Sequence, residues 1–159
     1  MIDVSDRHAT AHHDTRPLID RVAADWGNLL WLVGRILIAL IFVRSGWGKL
    51  TDLGSFAAML DRGDVPMASV VALIGAVVEF GGGLAIVFGV GTRYAALLMI
   101  VFTAMATLIA HRYWTYPADQ QQAQMVQFAK NISIIGGFLV VFVTGGGHYS
   151  LDRWWRRRG

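Results

Sequence analysis

The sequence predicts an all-α protein, an integral membrane four-helix bundle with both termini in the cytoplasm. Three observations carry this reading. The 159 residues are 55% hydrophobic and 16% charged, with a mean hydropathy of +0.48, whereas soluble domains carry about 25% charged residues. Four apolar runs, at about 29–48, 67–90, 94–110 and 125–144, are each near the ~20 residues that a helix needs to cross ~30 Å of hydrocarbon. An even number of spans returns both ends to one side, where Arg7, Arg16, Arg21, Arg93, Arg153, Arg156, Arg157 and Arg158 fall together. That excess of positive charge marks the cytoplasmic side.

Residues 1–27 read as a polar cytoplasmic tail. His8, His12 and His13 lack a second ligand cluster, so they are expected to be solvated and no metal site is assigned. Leu18 to Trp26 is expected as a short interfacial helix, with Trp26 at headgroup level. The transmembrane domain covers 28–147. Its first span, LLWLVGRILIALIFVRSGWG, carries Arg35 and Arg44 and leads to Lys49. Thr51 to Pro66 is an external loop with a surface helix at Leu53 to Leu60. The second span holds Glu79, the only glutamate of the chain. The link GVGTR is too short for anything but a tight turn, so the second and third spans should be antiparallel neighbours. Tyr113, Trp114 and Tyr116 form an aromatic belt at the outer interface. Lys130 and Asn131 lie just inside the fourth span, and 148–159 is a basic cytoplasmic tail suited to anionic headgroups rather than nucleic acid.

Composition removes several chemistries. Without cysteine there is no disulfide framework, thiolate nucleophile or CxxC redox pair. Redox work would need a bound cofactor or a diffusing quinone. No second histidine shares a span with His111, which excludes a bis-histidine haem site.

Polar residues inside the spans are the candidate site, because ionisable groups in hydrocarbon are costly and usually functional. If the first span enters near Gly27 and the second leaves near Gly89, Arg35 and Glu79 lie at about 12 and 15 Å from the same edge. They are expected to form an ion pair, with Glu79 a candidate proton relay; a purely structural role in helix packing fits equally well. Arg44 points to the opposite side of its helix, toward outer headgroups or a partner subunit. Toward the outer face, Lys49, His111, Lys130 and Asn131, with Thr103 and Thr107 as a polar stripe, are the candidate substrate-binding residues. Such a cationic, donor-rich cluster suits a carbonyl or enolate oxygen, as on a quinone head. The alternative is that the threonines bond back to their own helix and Lys49 snorkels to phosphates.

Three stretches in order, GRILIALIFVRSGWGKL, VVEFGGGLAIVFGVGTRYAALLM and FAKNISIIGGFLVVF, followed by GGGHYSLD, resemble the DoxX family of small bacterial membrane proteins. The likeness covers about 34–152. It implies a four-helix bundle in the inner membrane, with Arg35, Lys49, Glu79, Lys130 and Asn131 at the family's polar positions. It also implies a link to quinone-dependent oxidation of reduced sulfur and to oxidative-stress complexes. Three classes of function therefore stand: a redox-associated protein that binds a quinone or similar apolar carbonyl compound; a non-catalytic anchor or subunit that docks a membrane or cytoplasmic partner; and a transporter of small solutes or lipid. A homo-oligomer is compatible with each.

Overall fold

A computed structural model describes residues 17–159. The N-terminal histidines, Arg7 and Arg16 lie outside the described residues. Six α-helices and one short 3-10 turn account for the order: α1 (Leu18–Thr51), α2 (Leu53–Asp61), α3 (Ala68–Phe88), α4 (Thr92–Ala110), the turn Tyr113–Thr115, α5 (Ala118–Thr144) and α6 (Leu151–Arg156). There is no strand among the described residues. Four helices, α1, α3, α4 and α5, are long and apolar enough to cross a membrane. Large apolar side chains such as Leu37, Leu40, Val77 and Val143 cover the outside of the bundle, as a lipid-facing surface requires.

Helix α1 is longer than the first apolar run. It spans 34 residues and absorbs the stretch expected as a separate interfacial helix, because a single interior glycine, Gly27, costs only about 1 kcal/mol and does not stop a helix that continues into Leu29 and Leu30. Pro17 precedes it and accepts from the Asp20 and Arg21 amides. Asp52 separates α1 from α2 and caps the latter, its carboxylate accepting from the Ser55 amide at 3.2 Å. α3 ends in a Schellman turn, with the Val90 amide on Ala85 O and Gly89 in the left-handed region at φ 69°. Such a C-cap favours glycine. Gly91, at φ 52°, starts α4 directly, so α3 and α4 are antiparallel neighbours, as the short link requires.

Within the bundle α1 packs on α3, α3 on α4 and α4 on α5, while α1 meets α5 in a narrower contact. Small residues make these approaches close: Ala39, Ala72, Ala76 and Ala96 are fully buried. Without a hydrophobic drive between helices in lipid, such close packing supplies the attraction. A β-carbon at Gly46 would stand 2.6 Å from the Phe80 amide nitrogen, and one at Gly83 would meet Val43 at 3.0 Å. These contacts fix the α1–α3 register. Phe42 and Phe138, with ring centroids 5.4 Å apart, join α1 to α5.

The C-terminal segment folds back onto the turn between α3 and α4 and is not a loose tail. Because α4 begins at glycine, no local side chain caps its first amides. Asp152 supplies the acceptor: its carboxylate takes the Gly91 amide at 2.7 Å, the Thr92 amide at 2.8 Å and the Thr92 hydroxyl at 2.7 Å. Its own amide donates to Gly89 O at 2.9 Å. Burial pushes this carboxyl upward, but the Thr92 and Gly91 hydrogen bonds and the Arg156 charge together outweigh it and hold the group below the usual carboxylate range. The positive end of α4 acts in the same direction.

Two outcomes follow for the detergent-solubilised protein. Gly46→Ala should cost about 1–3 kcal/mol, since the clash is with backbone, whereas Gly136→Ala, whose β-carbon meets open space, should stay neutral or gain up to about 1 kcal/mol. Asp152 is more acidic folded than unfolded, so its contribution is complete above the unfolded value near 3.9 and is lost as pH falls through the lower folded value. Unfolding midpoints measured across that acidic range should therefore fall more steeply for the parent than for Asp152→Asn, which should already be less stable at pH 7.

Candidate functional site: a buried ion pair beside an apolar cleft

The α1–α3 register decides which cation meets Glu79. Three residues past Gly46, Lys49 faces Glu79, which precedes Phe80, and its Nζ donates to Oε2 at 2.5 Å. The expected pairing of Arg35 with Glu79 is not made. That expectation set the membrane entry of α1 at Gly27, but α1 begins at Leu18 and its Arg35 turn lies level with the ends of α3 and α5. Trp31 Nε1 donates to Gly145 O at 3.1 Å, which places this turn of α1 level with the end of α5. Arg35 therefore reaches the end of α3, about 12–15 Å along the axis from Glu79.

Arg35 is instead the central tie of that end. It is almost fully buried and donates to three carbonyls: Gly146 O, Tyr149 O at 2.7 Å and Val87 O at 3.2 Å. A planar guanidinium can serve several divergent acceptors at once, which an ammonium cannot do in the same geometry. The side chain thus satisfies one carbonyl freed at the end of α3 and two in the segment between α5 and α6.

At the opposite end Lys49 opens onto a cleft of about 570 Å³ between α2, α3 and α4. Its walls are apolar, including Phe56, Ile74, Val78, Val101, Phe102 and Met105, and among the described residues its only polar lining residues are Lys49 and His111. The Lys49 side chain is 29% exposed and that of Glu79 only 5%, so a molecule in the cleft reaches the ammonium and not the carboxylate. Lys49 Nζ also lies 4.8 Å from the Phe56 ring centroid. An ammonium has three donors, and Glu79 uses one of them.

The remaining expected residues divide. His111 caps α4, and its Nδ1 pairs with Gln124 Oε1 at 2.8 Å. Asn131 donates to the Thr107 hydroxyl at 2.8 Å, and Thr107 bonds back to Thr103 O at 2.6 Å. Asn131 therefore ties α5 to α4 rather than lining the cleft. Lys130 is exposed, donates to Gln127 Oε1 one turn earlier, and also does not line the cleft. Arg44 lies exposed on α1 beside Trp47. Among the described residues no group of three or more His, Cys, Asp or Glu could hold a metal ion. Sequence reasoning missed Asp152; the signal for it was the uncapped glycine start of α4 followed, sixty residues on, by a lone aspartate after a glycine run.

Residues 30–112 match the DoxX family model. The chain is similar to the inner membrane protein YqjF of Escherichia coli (strain K12), with 39% identity over 124 residues, covering 77% of this chain and 88% of that protein. It is also similar to the inner membrane protein YphA of the same organism, with 36% identity over 125 residues and coverage of 79% and 89%. The ER-derived vesicles protein ERV29 of Saccharomyces cerevisiae is 27% identical over 126 residues, which span 79% of this chain but only 33% of that protein. No solved structure matches. With its four apolar helices, its ordered polar positions and these relatives, the chain belongs to the DoxX family.

Proposed function

We propose that this inner-membrane protein binds a quinone or a similar apolar carbonyl compound in the cleft between α2, α3 and α4. The observation that carries the reading is an apolar chamber of about 570 Å³ whose only polar lining residues, among the described residues, are Lys49 and His111. A pocket of that size, largely apolar with a few convergent polar groups, suits a small amphiphilic molecule. The ring and tail would lie against α3 and α4, and a carbonyl oxygen would accept from Lys49. Glu79 holds the ammonium in place at 2.5 Å, and Lys49, the member of the pair that the cleft exposes, would give its proton to the bound oxygen as electrons from a partner reduce the ring, leaving a neutral amine beside the Glu79 carboxylate. His111, steadied by Gln124, is the second donor. Lys130 and Asn131 have no part in this reading.

The resemblance to quinone-linked members of the family adds the redox setting. With no cysteine in the chain, the electrons would pass between the quinone and a partner protein or second cofactor. One observation favours a second reading, that of a membrane subunit: Arg44 and Trp47 stand exposed on α1, where a partner helix would cover them.

Binding of a short-chain benzoquinone by the purified protein separates the two. The first reading expects one quinone per chain and a loss of roughly tenfold or more in affinity for Val101→Trp, which fills the cleft without touching the ion pair. Lys49→Met should weaken binding by a similar factor, the worth of one charge-assisted hydrogen bond, and Lys130→Met should leave it unchanged. Equal binding by Val101→Trp and the parent would defeat the cleft as the site.

A further inference from the structure

A second cleft, of about 860 Å³, opens at the other end of the bundle between the start of α4, the glycine run after α5, and α6. Arg93, Arg153 and Arg156 line it, together with His148 and Asn28. Among the described residues its one carboxylate is Asp152, which already accepts three hydrogen bonds from Gly91 and Thr92. Three guanidiniums thus share the cleft, among the described residues, with a single anion whose oxygens are committed to capping α4. Arg93 uses one nitrogen on Val143 O, while the Arg153 and Arg156 side chains make no hydrogen bond among the described residues. Beside the cleft, Tyr94 is 83%, Val143 69% and Trp155 51% exposed. Cationic donors next to an amphipathic aromatic rim at the end of two spanning helices are the arrangement that meets headgroups.

We propose that this cleft binds a phosphate group, carried by an anionic membrane lipid whose headgroup sits among Arg93, Arg153 and Arg156. Guanidinium forks match phosphate oxygens in geometry and charge, and the acyl chains would run along the exposed faces of α4 and α5. This site is separate from the quinone cleft and does not depend on it. The nearby Arg157 and Arg158 do not line the cleft; Arg158 lies 3.8 Å from the Trp154 ring centroid. General attraction of a basic tail to an anionic surface would involve them equally, whereas a built site would not.

The test is thermal unfolding of the full chain in neutral detergent, titrated with phosphatidylglycerol, phosphatidylcholine or inorganic phosphate. Saturable stabilisation by phosphatidylglycerol but not by phosphatidylcholine is expected. Arg153→Gln with Arg156→Gln should weaken the half-saturation point at least about tenfold, as should Arg93→Gln from the opposite wall. Arg157→Gln with Arg158→Gln, which removes the same charge, should leave it unchanged. Protection by inorganic phosphate equal to that by phosphatidylglycerol, lost in the same cleft variants, would support the phosphate site and assign it to a soluble ligand. Equal protection by both lipids, or equal losses from the 157/158 and 153/156 variants, would overturn the proposal.

Discussion

The close approach of α1 to α3 governs the placement of every buried charge in the bundle. Gly46 against Phe80 and Gly83 against Val43 leave no room for a shifted register, because a one-residue slide would drive a side chain into backbone. Lys49 then meets Glu79, and Arg35 falls at the far end of α3. A carboxylate buried in an apolar helix would otherwise be left unpaired, at a cost of several kcal/mol. The glycines permit the contact that makes Glu79 tolerable.

The polar groups separate into two ends with different tasks. At one, Arg35 and Asp152 satisfy backbone: the arginine gathers carbonyls at the end of α3 and in the segment between α5 and α6, and the aspartate gathers amides where α4 begins. These groups are committed, and they fasten the C-terminal segment onto the bundle. At the other end Lys49 has donors beyond the one it gives Glu79 and faces an apolar chamber. Arg35 and Asp152 hold the first end together, while at the second the spare donors of Lys49 face an apolar chamber. This explains why two intramembrane cations that look alike in sequence have such different roles.

Much of this was legible in the sequence. The four spans, the surface helix after the first and the tight turn at GVGTR follow from hydropathy, length and glycine placement alone. The buried face of α1 also follows its sequence spacing: Arg35, Ala39, Phe42 and Gly46 recur at intervals of three and four residues, and all four are buried. The partner of Glu79 was not legible, since depth arithmetic needs an entry point and α1 begins well before its apolar run. Helical periodicity fixes which face a residue occupies, but it does not fix the axial offset between two helices. That offset is set by individual contacts such as Gly46 on Phe80. The cleft was hidden for a related reason, because its walls come from three helices whose lining residues look like ordinary lipid-facing positions. That Lys130 and Asn131 lie off the cleft was not legible either, because a polar residue near a span end can bond within its own helix or to its neighbour, as these do.

The composition of the chain permits a direct test of the ion pair. Glu79 is the only glutamate, and Lys49 and Lys130 are the only lysines. Protein labelled with 13C-carboxyl glutamate and 15N-ammonium lysine, reconstituted in lipid bilayers, reduces the question to one carbon and two nitrogens. Solid-state dipolar recoupling should show strong dephasing of the Glu79 carboxyl carbon by lysine nitrogen, abolished in Lys49→Met and retained in Lys130→Met. Dephasing by 15N-labelled arginine guanidinium instead, with none from lysine, would contradict the account and restore Arg35 as the partner.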